Sequence, residues 1–304
     1  MKAKDKSLGM IYLDNRMAGG IFGEAELELM NSFAVQASVS IENAYLVESM
    51  VEQERLQQEM EIAQKIQMSL LPIEPNVPGY EIAAVMEPAD EVGGDYYDVI
   101  NIGDVNWVVI GDVSGHCLPA GLIMMMVQTA VDVTLRHDPK APPADVLNAV
   151  NTTIVKNIRQ LGETKYMTIT IMAVDKEGRF RFSGLHQDIM IYRAATREVE
   201  LVETRGMWIG LHDDIGDMLD NDEISLNSGD VLLLYSDGIT EATKKGAKPA
   251  EGRPKRDMFG EGRLTEAFGK LGSDKPNTIM KGILEELDDY EFNDDVTMVV
   301  LKRL

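Results

Sequence analysis

The chain has 304 residues, 44% apolar and 26% charged, with a formal net charge of -22. That length supports one or two domains with a buried core, and the acidic balance excludes nonspecific binding to nucleic acid or to anionic membrane, which rests on basic surface. Cys117 is the only cysteine, so an intrachain disulfide is excluded and a reducing, cytoplasmic setting is expected.

The lysine-rich start, residues 1–7, is not followed by the apolar stretch of a secretory signal. The longest apolar window, residues 122–131, is too short for a membrane span of about 20 residues. Residues 8–13 alternate like a short strand, and residues 15–20 are turn-rich. Neither Pro nor Gly occurs between Gly23 and Pro72. Met30, Ala34, Ala37, Ile41 and Ala44 recur at helical spacing, so a helix is expected from Glu24 to about Leu71. The stripe weakens at Glu52-Gln53-Glu54-Arg55 and resumes at Leu56, Met60, Ala63 and Ile66. A helix this long without internal caps points to a coiled coil and a homodimer through this segment. The competing reading is a long amphipathic helix packed on its own domain. Pro72, Pro75, Pro78 and Gly79 then close it, because proline lacks the amide donor and restricts the residue before it.

Strand patterns follow at residues 96–101, 105–110, 167–174, 180–182, 189–192, 199–202, 231–235 and 296–301. Helical patterns occupy residues 118–137, 144–161, 264–271 and 277–289. Strands in antiparallel-compatible order, with helices inserted in blocks, indicate an α+β domain. The expected division is 1–46, a linker helix over 47–71, and a catalytic-looking domain over 72–304.

The acidic residues at strand ends carry the chemistry. Gly93-Gly94-Asp95-Tyr96-Tyr97-Asp98 opens one strand, and Gly111-Asp112-Val113-Ser114-Gly115-His116 closes the next. Folded antiparallel about the turn at Ile102-Gly103-Asp104, the two strands bring Asp95 and Asp112 to one rim. Side by side, such carboxylates repel unless a cation lies between them. The continuous apolar run Val231-Leu232-Leu233-Leu234-Tyr235 ends in Ser236-Asp237-Gly238, and Asn293-Asp294-Asp295 precedes the last strand. If those strands are antiparallel, Asp237 and Asp294 also share a rim. A carboxylate cluster without His or Cys at ligand spacing selects hard cations such as Mg²⁺, Mn²⁺ or Ca²⁺. Singly, each Asp reads more readily as a turn or strand-end residue; the joint placement shifts the balance.

Together these motifs resemble the PPM metal-dependent serine/threonine phosphatases, most closely their SpoIIE/RsbU-like bacterial branch, over about residues 61–304. The resemblance implies an αββα sandwich, two antiparallel sheets flanked by helices, with two Mn²⁺ or Mg²⁺ ions between the sheets. Carried over by motif, Asp112 bridges the ions and the Val113 carbonyl helps hold one. Asp237 and Asp294 bind the other, and Asp95 binds directly or through water. Asp295, beside the last ligand, takes a supporting place. The implied reaction is attack of metal-activated water on phosphoserine or phosphothreonine, without a phosphoenzyme. The implied partner is a phosphorylated regulatory protein, such as an anti-sigma-factor antagonist. Residues 7–46 resemble the end of a GAF domain, through Leu8-Gly9-Met10-Ile11-Tyr12-Leu13-Asp14-Asn15, Phe22-Gly23-Glu24 and Ser40-Ile41-Glu42-Asn43-Ala44. The strands that form a GAF ligand pocket have no counterpart here, so no ligand is inferred.

Two departures stand out. Cys117 replaces the Gly expected after His116, and Ser183-Gly184-Leu185-His186-Gln187-Asp188 replaces a Gly-His-Pro-type connection. His116 and His186 read more readily as hydrogen-bonded structural groups than as acid-base groups. Met124-Met125-Met126 reads as core filling. Lys244, Lys245, Lys248, Arg253, Lys255 and Arg256 form a basic stretch, an exposed loop or a docking loop for an acidic partner. Two other functions compete: a catalytically silent scaffold of the same fold, whose mark would be a lost metal Asp, and a hydrolase of small phosphoesters.

Overall fold

The computed structural model describes residues 1–3, 6–14, 23–246 and 257–304. Contacts divide the chain into two units, Met1–Glu61 and Ile62–Leu304. In the first unit, β1 (Lys2–Ala3) pairs antiparallel with β2 (Lys6–Ser7). The strand expected at residues 8–13 does not form. Among the described residues no further strand lies beside it to take up its backbone hydrogen bonds, and Met10 and Tyr12 stand exposed. Helix α1 (Glu24–Leu70) begins in this unit and runs 47 residues without a break, as its lack of Pro and Gly requires. Leu27, Phe33, Val39, Tyr45, Leu46, Met50 and Val51 along it are exposed.

The second unit begins with the last turns of α1 and continues, after the proline-rich segment, into β3 (Tyr80–Glu87), β4 (Asp95–Ile102) and β5 (Val105–Val113). Helices α2 (Cys117–His137) and α3 (Pro143–Leu161) follow, with Pro143 in the first turn of α3 and Gly162 at φ 72 ending it. Next come β6 (Met167–Val174), β7 (Arg179–Ser183), β8 (Ile189–Arg193), β9 (Glu198–Val202) and β10 (Asp222–Ser225). Then β11 (Val231–Tyr235), the short α4 (Asp237–Thr240) and β12 (Thr243–Lys244) lead to α5 (Gly260–Leu271), α6 (Pro276–Glu286), β13 (Tyr290–Glu291) and β14 (Val296–Arg303).

Two five-stranded antiparallel sheets result, ordered β10-β7-β6-β5-β4 and β3-β14-β11-β8-β9. Helices α2 and α3 pack on the first sheet, and α5 and α6 on the second. The layers are those of an αββα sandwich, as expected. Strand β11 shows how the sequence builds them. Leu232 and Leu234 enter the core shared by the sheets, while Val231, Leu233 and Tyr235 enter the core beneath α5 and α6. Alternate side chains leave opposite faces of a strand, so a strand covered on both sides is apolar throughout. Strand β14 does the same, with Val299 and Leu301 on one face and Met298 and Val300 on the other.

Among the described residues α2 is the one helix long and apolar enough to cross a membrane, by length and composition. Its Ala120, Ile123, Met124, Val127, Val131 and Leu135 are buried in the domain core. Each large apolar side chain buried this way stabilises the fold by roughly 1.5–3 kcal/mol. Met125 and Met126 pack against the same core, the filling role expected of that triplet.

Candidate metal centre

The β4–β5 hairpin turns at Gly103, whose φ of 61 suits glycine. Its register sets Asp95 directly opposite Asp112. In the second sheet, β11 and β14 pair antiparallel with Tyr235 opposite Met298. Asp237 therefore follows the end of β11 at the rim where Asp294 precedes β14. The hydroxyl of Ser236 locks this corner: it accepts from the Thr297 amide at 2.9 Å and donates to the Asp295 carbonyl at 3.1 Å. A Cβ on Gly238 would stand 2.0 Å from that Asp295 carbonyl oxygen, so only glycine fits.

Asp295 joins the two rims. One carboxylate oxygen accepts from the Ala89 amide at 2.8 Å; the other accepts from Gly94 at 2.6 Å and Asp95 at 3.2 Å. Gly93 permits the approach, since a Cβ there would lie 2.3 Å from the Asp295 carboxylate. Gly94 likewise brings the backbone close to the hairpin partner. A Cβ there would be 2.8 Å from the Val113 carbonyl oxygen and 3.3 Å from Asp112 Oδ1. Behind this loop, the buried Gln67 of α1 clamps Gly93 on both sides. Its Nε2 donates to the Gly93 carbonyl at 2.6 Å, and its Oε1 accepts from the Gly93 amide at 3.1 Å.

The electrostatics are those of acids crowded together, with Lys165 the one basic side chain that acts on Asp112. Burial, then the neighbouring Asp112 and Asp295, push Asp95 far above the ordinary carboxylate range. Asp112 is pushed up to about 8 by burial and by Asp237, Asp294 and Asp295. Lys165, whose Nζ donates to the Ser114 carbonyl at 2.7 Å, opposes that rise. Asp237 is pushed up to about 6 by burial, Glu241 and Asp294. Asp95 is buried, and its Oδ2 has no hydrogen-bond partner. A buried, unpartnered carboxylate oxygen is costly as it stands, and a cation relieves it. The donor set is hard oxygen, which fits Mg²⁺ or Mn²⁺ rather than a thiophilic ion.

The structure thus brings Asp95, Asp112, Asp237 and Asp294 into one cluster, with the Val113 carbonyl at its edge. His186 is apart in role. Its Nδ1 meets Thr168 Oγ1 at 2.9 Å, its Nε2 is enclosed without a partner, and burial lowers its pKa to about 4. It stays neutral near pH 7 and braces the sheet. Of the basic stretch, Lys244 and Lys245 fall in the described residues, with Lys245 Nζ donating to the Asp288 carbonyl at 2.8 Å. Lys248, Arg253, Lys255 and Arg256 lie outside the described residues.

Three residues of this centre carry roles that the acid pattern alone leaves undefined: Asp295 as the tie, Gln67 as the clamp and Lys165 as the opposing charge. The paired Gly93-Gly94 before a strand is the one local signal of the close approach that Asp295 exploits.

Known proteins resemble this chain in sequence and in fold. The family model described as Stage II sporulation protein E (SpoIIE) matches residues 103–304. The chain is 27% identical over 257 residues to the phosphoserine phosphatase RsbU of Bacillus subtilis, covering 83% of this chain and 72% of that protein. Among solved structures, the SiaA-PP2C domain of Pseudomonas aeruginosa superposes with a TM-score of 0.67 at 19% identity, over 82% of this chain and 98% of that one. The RsbU and RsbW domains of Rv1364c from Mycobacterium tuberculosis give 0.62 at 26% identity, over 75% of this chain and 61% of that one. The chain belongs to the SpoIIE family, and it is a metal-dependent serine/threonine phosphatase of PP2C fold.

Proposed function

We propose that the acid cluster holds two divalent ions, Mn²⁺ or Mg²⁺, and that Asp95, Asp112, Asp237 and Asp294 are the residues on which hydrolysis depends. In this reading Asp112 would be shared between the ions, the Val113 carbonyl would help hold one, Asp237 and Asp294 would hold the other, and Asp95 would bind directly or through water. The observation that carries it is the buried Asp95 carboxylate with an unpartnered Oδ2, raised in pKa by burial and then by Asp112. Bound ions of this kind supply an activated water and polarise a phosphoryl group. The chain's own residues set the geometry: the Asp295 tie fixes the spacing of the two rims, and Gly93, Gly94 and Gly238 allow it.

The substrate is a phosphoserine or phosphothreonine on a regulatory protein of the anti-sigma-factor-antagonist class, in a cytoplasmic setting. The relative RsbU, named a phosphoserine phosphatase, supports this assignment. The exposed apolar side chains of α1 support self-association into a homodimer. Gln67 supports control through that helix, because it holds the loop that leads into Asp95. Residues 1–46, 47–71 and 72–304 then act as GAF-like segment, linker and catalytic domain.

The test compares phosphate release from a phosphoserine protein and from a small aryl phosphate, with Mn²⁺, with EDTA, and in Asp237→Asn. The reading expects metal-dependent release that favours the protein substrate and is lost in the variant. Equal turnover of both substrates would favour a small-phosphoester hydrolase, and no turnover of either a silent scaffold. Removal of residues before Glu61 should change both oligomeric state and turnover; if neither changes, the regulatory part of the reading is wrong.

A further inference from the structure

The loops that leave the paired ends of β4 and β5 meet a second time, outside the acid cluster. Asp90 precedes Asp95 on one loop; His116 and Cys117 follow Val113 on the other. His116 Nδ1 lies 2.9 Å from Asp90 Oδ2 and 2.9 Å from Cys117 Sγ, and Cys117 Sγ lies 3.2 Å from Asp90 Oδ2. A carboxylate oxygen, an imidazole nitrogen and a sulfur therefore face one point, at an accessible place on the surface.

We propose that Asp90, His116 and Cys117 form a binding site for a thiophilic divalent cation, Zn²⁺ foremost, separate from the carboxylate centre. The ligand chemistry separates the two sites. The carboxylate centre offers oxygen alone, whereas this cluster offers sulfur, nitrogen and oxygen, the set that binds Zn²⁺. Around a tetrahedral Zn²⁺ with bonds of about 2.0–2.3 Å, ligand atoms stand roughly 3.3–3.8 Å apart. The three separations need to open by roughly 0.3–0.6 Å, the His116–Cys117 pair most, and surface side chains have that freedom. Thiolate and carboxylate together offset the charge of the ion, and a fourth position stays open to water.

The backbone points the same way. Cys117 sits at φ 66, where glycine is unstrained and an L side chain is not. A side chain held there is strained, and what it contributes is the sulfur. The thiol donates to Asp90, and this hydrogen bond holds its pKa above the ordinary value. The free group is thus protonated at neutral pH and is not an activated nucleophile. Cation binding replaces that proton, releasing it to solvent, and joins sulfur, imidazole and carboxylate through the metal. An ion there ties the loop before Asp95 to the start of α2.

Cobalt tests this directly. With Mg²⁺ saturating, the protein is titrated with Co²⁺ and the complex is then challenged with Zn²⁺. The expected result is a thiolate-to-cobalt charge-transfer band that saturates at one equivalent and is abolished by Zn²⁺. Cys117 is the only thiol in the chain, so Cys117→Ser and Cys117→Gly must both remove the band. His116→Ala and Asp90→Asn should each weaken Co²⁺ binding about tenfold or more. Cys117→Gly suits the backbone at that position, so loss of the band in that variant reports the ligand rather than misfolding. Absence of the band in the unmodified protein, or a band whose affinity is unchanged in both His116→Ala and Asp90→Asn, overturns the proposal. Neither readout uses phosphatase activity, so a failure here leaves the reading of the carboxylate centre standing.

Discussion

Asp112→Asn should make the metal-free protein more stable while removing its response to Mg²⁺. The magnitude follows from the Asp112 carboxyl, which moves from 3.8 to about 8 on folding through burial and the neighbouring Asp237, Asp294 and Asp295. Below the lower value both states are protonated and the group does not affect stability. As pH rises toward the upper value, the unfolded chain gains by ionising and the folded chain does not, so stability is progressively lost. At pH 7 the difference amounts to about 4 kcal/mol. Sharing of the proton among the clustered acids reduces this, so we expect Asp112→Asn to gain about 2–4 kcal/mol at pH 7 in EDTA. That corresponds to a rise in Tm of roughly 5–15 °C for a domain of this size. At pH 4 the gain should nearly vanish. Saturating Mg²⁺, at a hundred times its Kd, should add about 2.7 kcal/mol to the unmodified protein and little to the variant. The assay is thermal melting of both proteins in EDTA and in Mg²⁺ at both pH values. A variant less stable than the parent in EDTA at pH 7 would refute the claim that these acids are mutually destabilising without a cation.

Gln67→Ala leaves the Gly93 amide and carbonyl without their partner, which should cost about 2–4 kcal/mol by urea denaturation. It should also weaken metal-supported turnover, and unchanged turnover would remove the clamp from the path between α1 and Asp95. Gly238→Ala places a methyl 2.0 Å from the Asp295 carbonyl oxygen; loss of Mg²⁺-dependent stabilisation in melting curves is expected, and a variant with parental metal response contradicts the close packing of that corner. Cys117→Gly relieves a side chain at φ 66, so metal-free stability should rise by about 1 kcal/mol, measured by denaturant titration; a fall would mean that the side chain contributes more than its strain costs.

Much of the fold was legible because its signals are local. The hairpin register followed from strand composition around Gly103, and Asp95 indeed faces Asp112. The length of α1 followed from the absence of Pro and Gly. Strand β3 carries no clear local signal, since Tyr80–Glu87 lacks clear alternation, and its place is set by pairing with the distant β14. Strand β10, a short edge strand, was missed for the same reason. The strand expected at residues 8–13 has the pattern but, among the described residues, no neighbour to pair with. In the centre, acids at strand ends were readable because antiparallel pairing fixes which ends share a rim. Gln67 was not, because a glutamine in a polar stretch of helix looks the same whether it faces solvent or a glycine backbone. The meeting of Asp90 with His116 and Cys117 depends on two loops returning to one place, which no spacing along the chain reveals.

The most direct test of the central claim is anomalous diffraction from crystals of the protein soaked in Mn²⁺. The account predicts two peaks about 3.5–4 Å apart, one contacting Asp112 and the Val113 carbonyl, the other contacting Asp112, Asp237 and Asp294. Manganese bound away from these carboxylates, or no manganese among them at saturating concentration, would contradict it.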